Sequence, residues 1–319
     1  MTHPLFQYDC LTVGESMALF MADTPGKLAD VSHYTRHIAG AESNVVIGLA
    51  RLGLRVAWVS RLGKDQLGQY VQREISAEGV DCSATPLIQG ERTGLMFKSM
   101  SCDGTDPEVE YHRKGTAAST MGPTDLPQAL IAQCRHLHLT GIFPALSASC
   151  DALSEAALRK ARELGVRTSF DVNLRPALWP DETTMRTRLH ALASLADWVM
   201  PGLGEAQRLT GLSQPHDIAD FYLSLGCEAV ILKLGEQGAF LKTAEQEVVF
   251  VPAVVVSQVV DTVGAGDGFA AGVISARLDG LPWRQALERG AWIGARQVQV
   301  KGDIDGLPTR QDLRAQGLP

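Results

Sequence analysis

No apolar run in this chain of 319 residues approaches the ~20 residues that a helix needs to cross a bilayer, so a soluble protein is expected. The opening Met1-Thr2-His3-Pro4-Leu5 lacks the basic start and apolar core of a secretory signal, and a cytoplasmic location follows as an expectation. Cysteine is sparse and scattered: Cys10, Cys82, Cys102, Cys134, Cys150 and Cys227 show neither paired metal-site spacing nor a compact disulfide framework, which favours reduced thiols. Basic charge is not in excess. The formal charge of −7, without a dense Lys/Arg cluster, gives no footprint for nucleic acid and leaves a small-molecule partner. Internal repeats, low-complexity tracts and long linkers are also missing. What remains is an ordinary globular composition, 45% hydrophobic, able to fill one large α/β domain or two smaller ones.

From about residue 130 onward the chain repeats a short apolar strand, a loop and a helix of period near 3.6. His136 to Thr140, Val166 to Asp171, Ala196 to Met200 and Ala229 to Leu234 read as strands. Leu153, Ala157, Ala161 and Leu164 make the apolar row of a helix that Gly165 closes. This alternation implies a mostly parallel sheet with helices on both faces, and ligands that collect beyond the carboxyl ends of its strands, where the loops after Gly141, Asp171, Met200 and Val260 meet. The first third differs. Asn44 to Leu52 is helical with Gly53 as its stop, and Arg55 to Ser60 is a core strand. Met17 to Met21, Gly94 to Met100 and Val109 to Arg113 read as antiparallel strands of a small β-lid, the last two joined through Cys102-Asp103-Gly104.

The most informative segment is Asp261-Thr262-Val263-Gly264-Ala265-Gly266-Asp267-Gly268. It follows an apolar run from Val251 to Val260 and opens a helix-period segment through Phe269, Val273 and Ala276, which predicts strand, turn and helix. The glycines present N–H groups at a helix N-terminus, a favourable place for phosphate. Asp267 would repel a resting pyrophosphate, yet it suits a general base that deprotonates a hydroxyl attacking a phosphoryl group. A dinucleotide loop would need glycine where Phe269 stands, and a Walker-type loop would need Lys-Ser or Lys-Thr after its last glycine; the chain has neither.

With these residues the chain resembles the PfkB family of carbohydrate kinases, of the ribokinase-like fold, over nearly its full length. Asp261 to Ile274 fits the family's C-terminal signature, and Ala39-Gly40-Ala41-Glu42-Ser43-Asn44, with Gly53 and Gly63, fits most of the N-terminal one; Val46 departs from it where a small residue is usual. The resemblance implies an α/β, three-layer fold with a mostly parallel central sheet and a small β-lid formed from about residues 15–37 and 91–115, the whole of 1–319 being one kinase domain. It also implies Asp267 as catalytic base and the amides of Gly264, Ala265 and Gly266 as an anion hole.

Gly40 and Asn44 are implied sugar contacts, although Ser43 or Asn44 could instead serve as a helix cap. Glu205 is implied to hold Mg²⁺ through water, with Gly202 standing where many members carry asparagine; a helix-N-terminal glutamate is the plainer reading. Lys233, Gly235 and Gly238, in a segment implied to lie along ATP, also fit a simple hairpin turn.

Asp171 to Pro176, Thr93-Gly94-Leu95, Tyr111 to Gly115, Leu139 to Ile142, and Gly302-Asp303 before Gly306-Leu307-Pro308 are similar to the branch of the family that phosphorylates 2-keto-3-deoxygluconate. That similarity implies Tyr111, Arg113 and Arg175 as substrate residues, with Asn173 and Arg175 also near the nucleotide. Two guanidinium forks suit the carboxylate of a sugar acid, while a solvated Arg113 and an Arg175 that serves only ATP suit a neutral sugar such as fructose. Met96 stands where some relatives have tyrosine. A monovalent cation such as K⁺ is a further family ligand that the chain leaves open, as it does a non-catalytic sugar sensor. A lid sheet with an open edge suggests a homodimer through the lid.

Overall fold

The computed structural model describes residues 6–100 and 107–319. In chain order the strands are β1 (Cys10–Val13), β2 (Met17–Pro25), β3 (Tyr34–Ala39), β4 (Val56–Val59), β5 (Leu62–Gly63), β6 (Leu87–Ile88), β7 (Leu95–Met100) and β8 (Val109–His112). They continue with β9 (His136–Thr140), β10 (Arg167–Asp171), β11 (Trp198–Val199), β12 (Ala229–Lys233), β13 (Ala239–Thr243) and β14 (Val248–Val251). The helices are α1 (Ala41–Arg51), α2 (Gln66–Ala77), α3 (Gln128–Ala132), α4 (Ala148–Glu163), α5 (Glu182–Ala193), α6 (Leu203–Thr210), α7 (Pro215–Ser224), α8 (Ala265–Leu278), α9 (Trp283–Gln297) and α10 (Arg310–Ala315).

The central sheet runs β14-β13-β12-β11-β10-β9-β1-β4, parallel from β4 to β12 and antiparallel at the β12–β13–β14 edge. β1 and β9, at inner positions of the sheet, and the edge strand β4 are buried along their whole length, as a sheet covered on both faces requires. Leu153, Ala157, Leu189, Ala206 and Ile218 bring α4 to α7 onto one face; Val45, Leu49, Val71, Ile274 and Leu287 bring α1, α2, α8 and α9 onto the other. Each such large aliphatic side chain contributes about 1.5–3 kcal/mol by leaving water. A serine joins two buried histidines inside the sheet: Ser169 Oγ lies 2.7 Å from His136 Nε2 and 2.8 Å from His138 Nδ1. Burial pushes the pKa values of both histidines down, so they stay neutral in this network.

The strand readings at His136, Val166, Ala196 and Ala229 hold to within two residues at each end. α4 starts at an N-cap, Ser147, whose side chain accepts from Cys150 N, and ends before Gly165 at φ +68°. Leu164, expected in its apolar row, is exposed, because it is the C-cap rather than part of the last turn.

Three expectations need correction. Residues 252–263 form no strand before the glycine loop: β14 ends at Val251, Pro252 has no N–H to offer a ladder, and Val255 is 95% exposed. The apolar residues of this stretch, Ala253, Val254, Val256 and Val259, line a cavity instead. The lid sheet, ordered β3-β2-β7-β8, is not wholly antiparallel, because β2 and β7 run parallel from Ala18↔Leu95 to Met21↔Lys98. Their link is a long crossover through β3, α1, β4 and α2 rather than a hairpin, and only a hairpin imposes the antiparallel sense. Finally, α1 begins at Ala41 with Gly40 as its N-cap, so neither Ser43 nor Asn44 caps it. The turn expected at Cys102-Asp103-Gly104 lies outside the described residues.

Candidate active site

A polar cavity of about 510 Å³ opens between the lid and the carboxyl ends of the parallel strands. Gly40, Asn44, Tyr111, Arg113, Asn173, Arg175, Glu205, Lys233, Gly264, Gly266 and Asp267 all line it, although they come from sequence segments up to 227 positions apart (267 minus 40). A second, apolar cavity of about 370 Å³ adjoins it, lined by Gly235, Gly238, Ala253, Val256, Phe269 and Ala295 among others. The two share Lys233, Thr262 and Gly266 as a common wall.

The glycine loop supplies that wall. Gly264 is the N-cap of α8 at φ +80°, a conformation that strains any side chain, and a Cβ there would lie 2.5 Å from the Asp303 carbonyl oxygen. The turn leaves the first amides of α8 without helical acceptors, at the positive end of the helix dipole. Asp267, in the first turn, is 8% exposed. Its Oδ2 accepts 2.8 Å from Asn44 Nδ2 and its Oδ1 accepts 3.4 Å from Asn173 Nδ2. Burial raises its pKa from 3.8 to about 7; the Asn44 hydrogen bond and Lys233 pull down, Asp171 and Asp303 push up, and burial prevails. A carboxylate held by two amides and poised near neutrality can take a proton from a bound hydroxyl at physiological pH.

Asn173 reaches this position by adopting φ +36°, which asparagine tolerates better than most residues. Lys233, at the end of β12, places its ammonium 2.6 and 2.7 Å from the Asp171 oxygens. Burial alone would lower its pKa, but Asp171, Glu205 and Asp267 outweigh that and keep it raised and charged. The segment from Gly235 to Gly238 is the β12–β13 turn anticipated from its glycines, and it also lines the apolar cavity.

Glu205 stands in the first turn of α6, the helix-N-terminal position anticipated for it. Its Oε2 accepts 2.7 Å from Gly202 N, the glutamate half of a capping box for α6, and its Oε1 accepts 2.7 Å from Leu174 N. Each oxygen keeps a lone pair, and the residue still faces the polar cavity. One carboxylate of this kind suits Mg²⁺, which prefers few protein ligands together with water and phosphate. No cluster of three or more His, Cys, Asp or Glu side chains could hold a metal among the described residues.

The two expected substrate arginines differ. Arg175 is exposed, and its guanidinium donates to the Leu174 carbonyl, 2.9 Å away. Arg113 is half-buried and ion-paired, with Nη2 2.6 Å and Nε 2.8 Å from Glu15 Oε2, while Thr116 Oγ1 donates to the other Glu15 oxygen at 2.5 Å. It is therefore not a solvated lid residue. Tyr111 is 46% exposed, with the Arg113 guanidinium 5.6 Å from its ring centre. Met96 is buried and lines the cavity.

Sequence reasoning missed Glu15, Glu42 and the Lys98 cluster. Glu42 accepts 2.6 Å from Thr140 Oγ1, and burial pushes its pKa up to about 7. A carboxylate directly after the small-residue run at 39–41, in the first turn of α1, was its available signal.

Residues 7–310 match the pfkB carbohydrate kinase family. The chain is 50% identical to the 2-dehydro-3-deoxygluconokinase of Bacillus subtilis (strain 168), over 96% of this chain and 94% of that one. Among solved structures, the PfkB protein of Polaromonas sp. JS666 superposes with a TM-score of 0.90 at 47% identity, covering 97% and 99% of the two chains. A putative ribokinase II of E. coli in complex with ATP and Mg²⁺ superposes with a TM-score of 0.88 at 27% identity, covering 97% and 98%. Lid, parallel sheet and glycine loop thus form a ribokinase-like fold, and the chain belongs to the pfkB family of carbohydrate kinases.

Proposed function

We propose that this protein transfers the γ-phosphoryl group of ATP to the primary hydroxyl of 2-keto-3-deoxygluconate. The observation that carries the reading is the junction of the two cavities at the glycine loop, where Gly264 and Asp267 line the polar, arginine-bearing chamber, Ala265 lines the apolar, glycine-rimmed one, and Gly266 and Lys233 line both. The relative at 50% identity, named for that substrate, supports it.

In this reading the apolar chamber receives the adenosine and the polar chamber the sugar acid. Gly40, at the mouth of α1, and Asn44 border the sugar, and Tyr111, Arg113 and Arg175 receive its carboxylate end. Asp267 accepts the proton of the attacking hydroxyl, while the loop amides and Lys233 stabilise charge on the transferred group. Mg²⁺, held beside the phosphates by Glu205 through water, would supply charge neutralisation. The protein acts as one cytoplasmic kinase domain, dimeric through the lid; an elution volume matching a monomer would remove the dimer.

A kinase of neutral sugars is the second reading, and the Arg113–Glu15 pair favours it by cancelling one of the two cationic charges near the sugar. The test is ADP release with Mg-ATP, comparing 2-keto-3-deoxygluconate, its galacto epimer, gluconate, fructose and ribose at equal concentration, with and without K⁺. A strong preference for a keto-deoxy acid is expected. Preference for fructose or ribose would return both arginines to structural or nucleotide roles, and the absence of sugar-dependent ADP release would point to a sensor.

A further inference from the structure

The lid reaches the glycine loop through a buried cation. Lys98 lies on β7 two positions after Met96, so strand alternation turns both to the same face of the lid. Met96 meets the polar cavity; Lys98, 1% exposed, lies 2.5 Å from the Asp261 carboxylate and 3.4 Å from that of Asp303. These two acids flank the anion hole. Asp261 Oδ1 accepts 3.0 Å from Val263 N, which sets the turn before Gly264, and the Asp303 carbonyl packs directly against Gly264. Burial raises the Asp303 pKa despite the pairing, as expected where two carboxylates share one ammonium.

Stability alone is a poor account of such a cluster, because well-packed apolar residues of similar volume often replace buried ion pairs without loss. We propose that Lys98 is a positioning residue, which fastens the lid to the loop and holds Asp261 and Asp303 so that the amides from Gly264 to Gly266 stay aimed at the phosphoryl group. The inference rests on the catalytic reading of that loop.

Lys98→Met keeps most of the side-chain volume and removes the charge. Its kcat should fall about 10²-fold, the scale of a misplacement near 1 Å, while KM for sugar and Mg-ATP changes little and amide exchange across 261–267 accelerates. Lys98→Ala should regain part of its kcat in added ammonium or methylammonium. The double variant Lys98→Met/Asp261→Asn removes one unpaired buried carboxylate and keeps the acceptor for Val263, so it should recover melting temperature but not kcat; it decides the matter if the single variant does not fold. Wild-type kcat in either folded variant, with only stability lowered, overturns the proposal. Asp267→Asn is assayed alongside. A crippled Asp267→Asn beside an unaffected Lys98→Met sinks this inference alone, whereas normal turnover in Asp267→Asn sinks the catalytic reading beneath it.

Discussion

The two walls of the cleft handle charge in opposite ways. On the sheet side, Asp267 is held by two amide donors at a pKa near 7, Lys233 stays charged beside Asp171, and Arg175 is exposed, with its guanidinium on the Leu174 carbonyl. On the lid side, Arg113 is closed into a buried network with Glu15 and Thr116, and Lys98 is closed between two carboxylates. The sheet wall therefore offers reactive groups and the lid wall offers shape. Rate should depend chiefly on the first, and choice of sugar on its Arg175 together with the contacts that the second holds in place. Lys98 reaches across this division by acting on the loop.

Asp267→Asn is the most severe attack on the sheet wall, with kcat expected to fall on the order of 10²- to 10⁴-fold and nucleotide affinity, measured by calorimetry, largely kept. An equal loss of kcat with unchanged KM in Arg113→Ala would erase the contrast between the walls. Gly264→Ala comes next: a Cβ at φ +80°, pressed on the Asp303 carbonyl, should misdirect loop amides and lower kcat by about 10²-fold, with circular dichroism showing an intact fold.

The arginines separate at the level of KM. Arg175→Ala should raise KM for the sugar acid about 10- to 100-fold, the worth of a hydrogen bond to a charged group, and leave KM for a neutral sugar nearly unchanged; equal effects would argue against carboxylate recognition. Arg113→Ala should cost melting temperature as well as affinity, because Glu15 is left buried and unpaired, and Arg113→Ala/Glu15→Gln should recover the temperature.

The smallest effects are in pH. Asp267 must be ionised to act, so kcat/KM should fall as pH drops through about 7. Glu42 titrates in the same range, and Glu42→Gln should leave that acid limb in place if Asp267 sets it. The folded pKa of Asp267 lies above its ordinary 3.8, so its ionisation costs the fold nothing below that value and increasingly more up to about pH 7. Asp267→Asn should accordingly melt higher than wild type above pH 7, with the difference vanishing towards pH 4.

Much of this was legible from local pattern. The parallel strands were legible from the repeat of short strand, loop and helix-period segment, and Gly264, Gly266 and Asp267 from a spacing that anion binding and base catalysis explain. What escaped was non-local. The apolar run at 251–260 resembles a strand because hydrophobicity does not tell a ladder from a cavity wall. The sense of β2 against β7 depends on a crossover, not on either strand. Glu15 and Arg113 are 98 positions apart, and Lys98 and Asp261 are 163 apart, so neither pair leaves a mark in its own neighbourhood.

The most direct test of the account is phosphorus NMR of the product formed from 2-keto-3-deoxygluconate and Mg-ATP. A new phosphomonoester signal split by the two protons of a methylene group, formed far more slowly with Asp267→Asn, is the predicted result. A signal split by a single proton, or no new phosphoester from wild-type protein, would contradict transfer to the primary hydroxyl and the role assigned to Asp267.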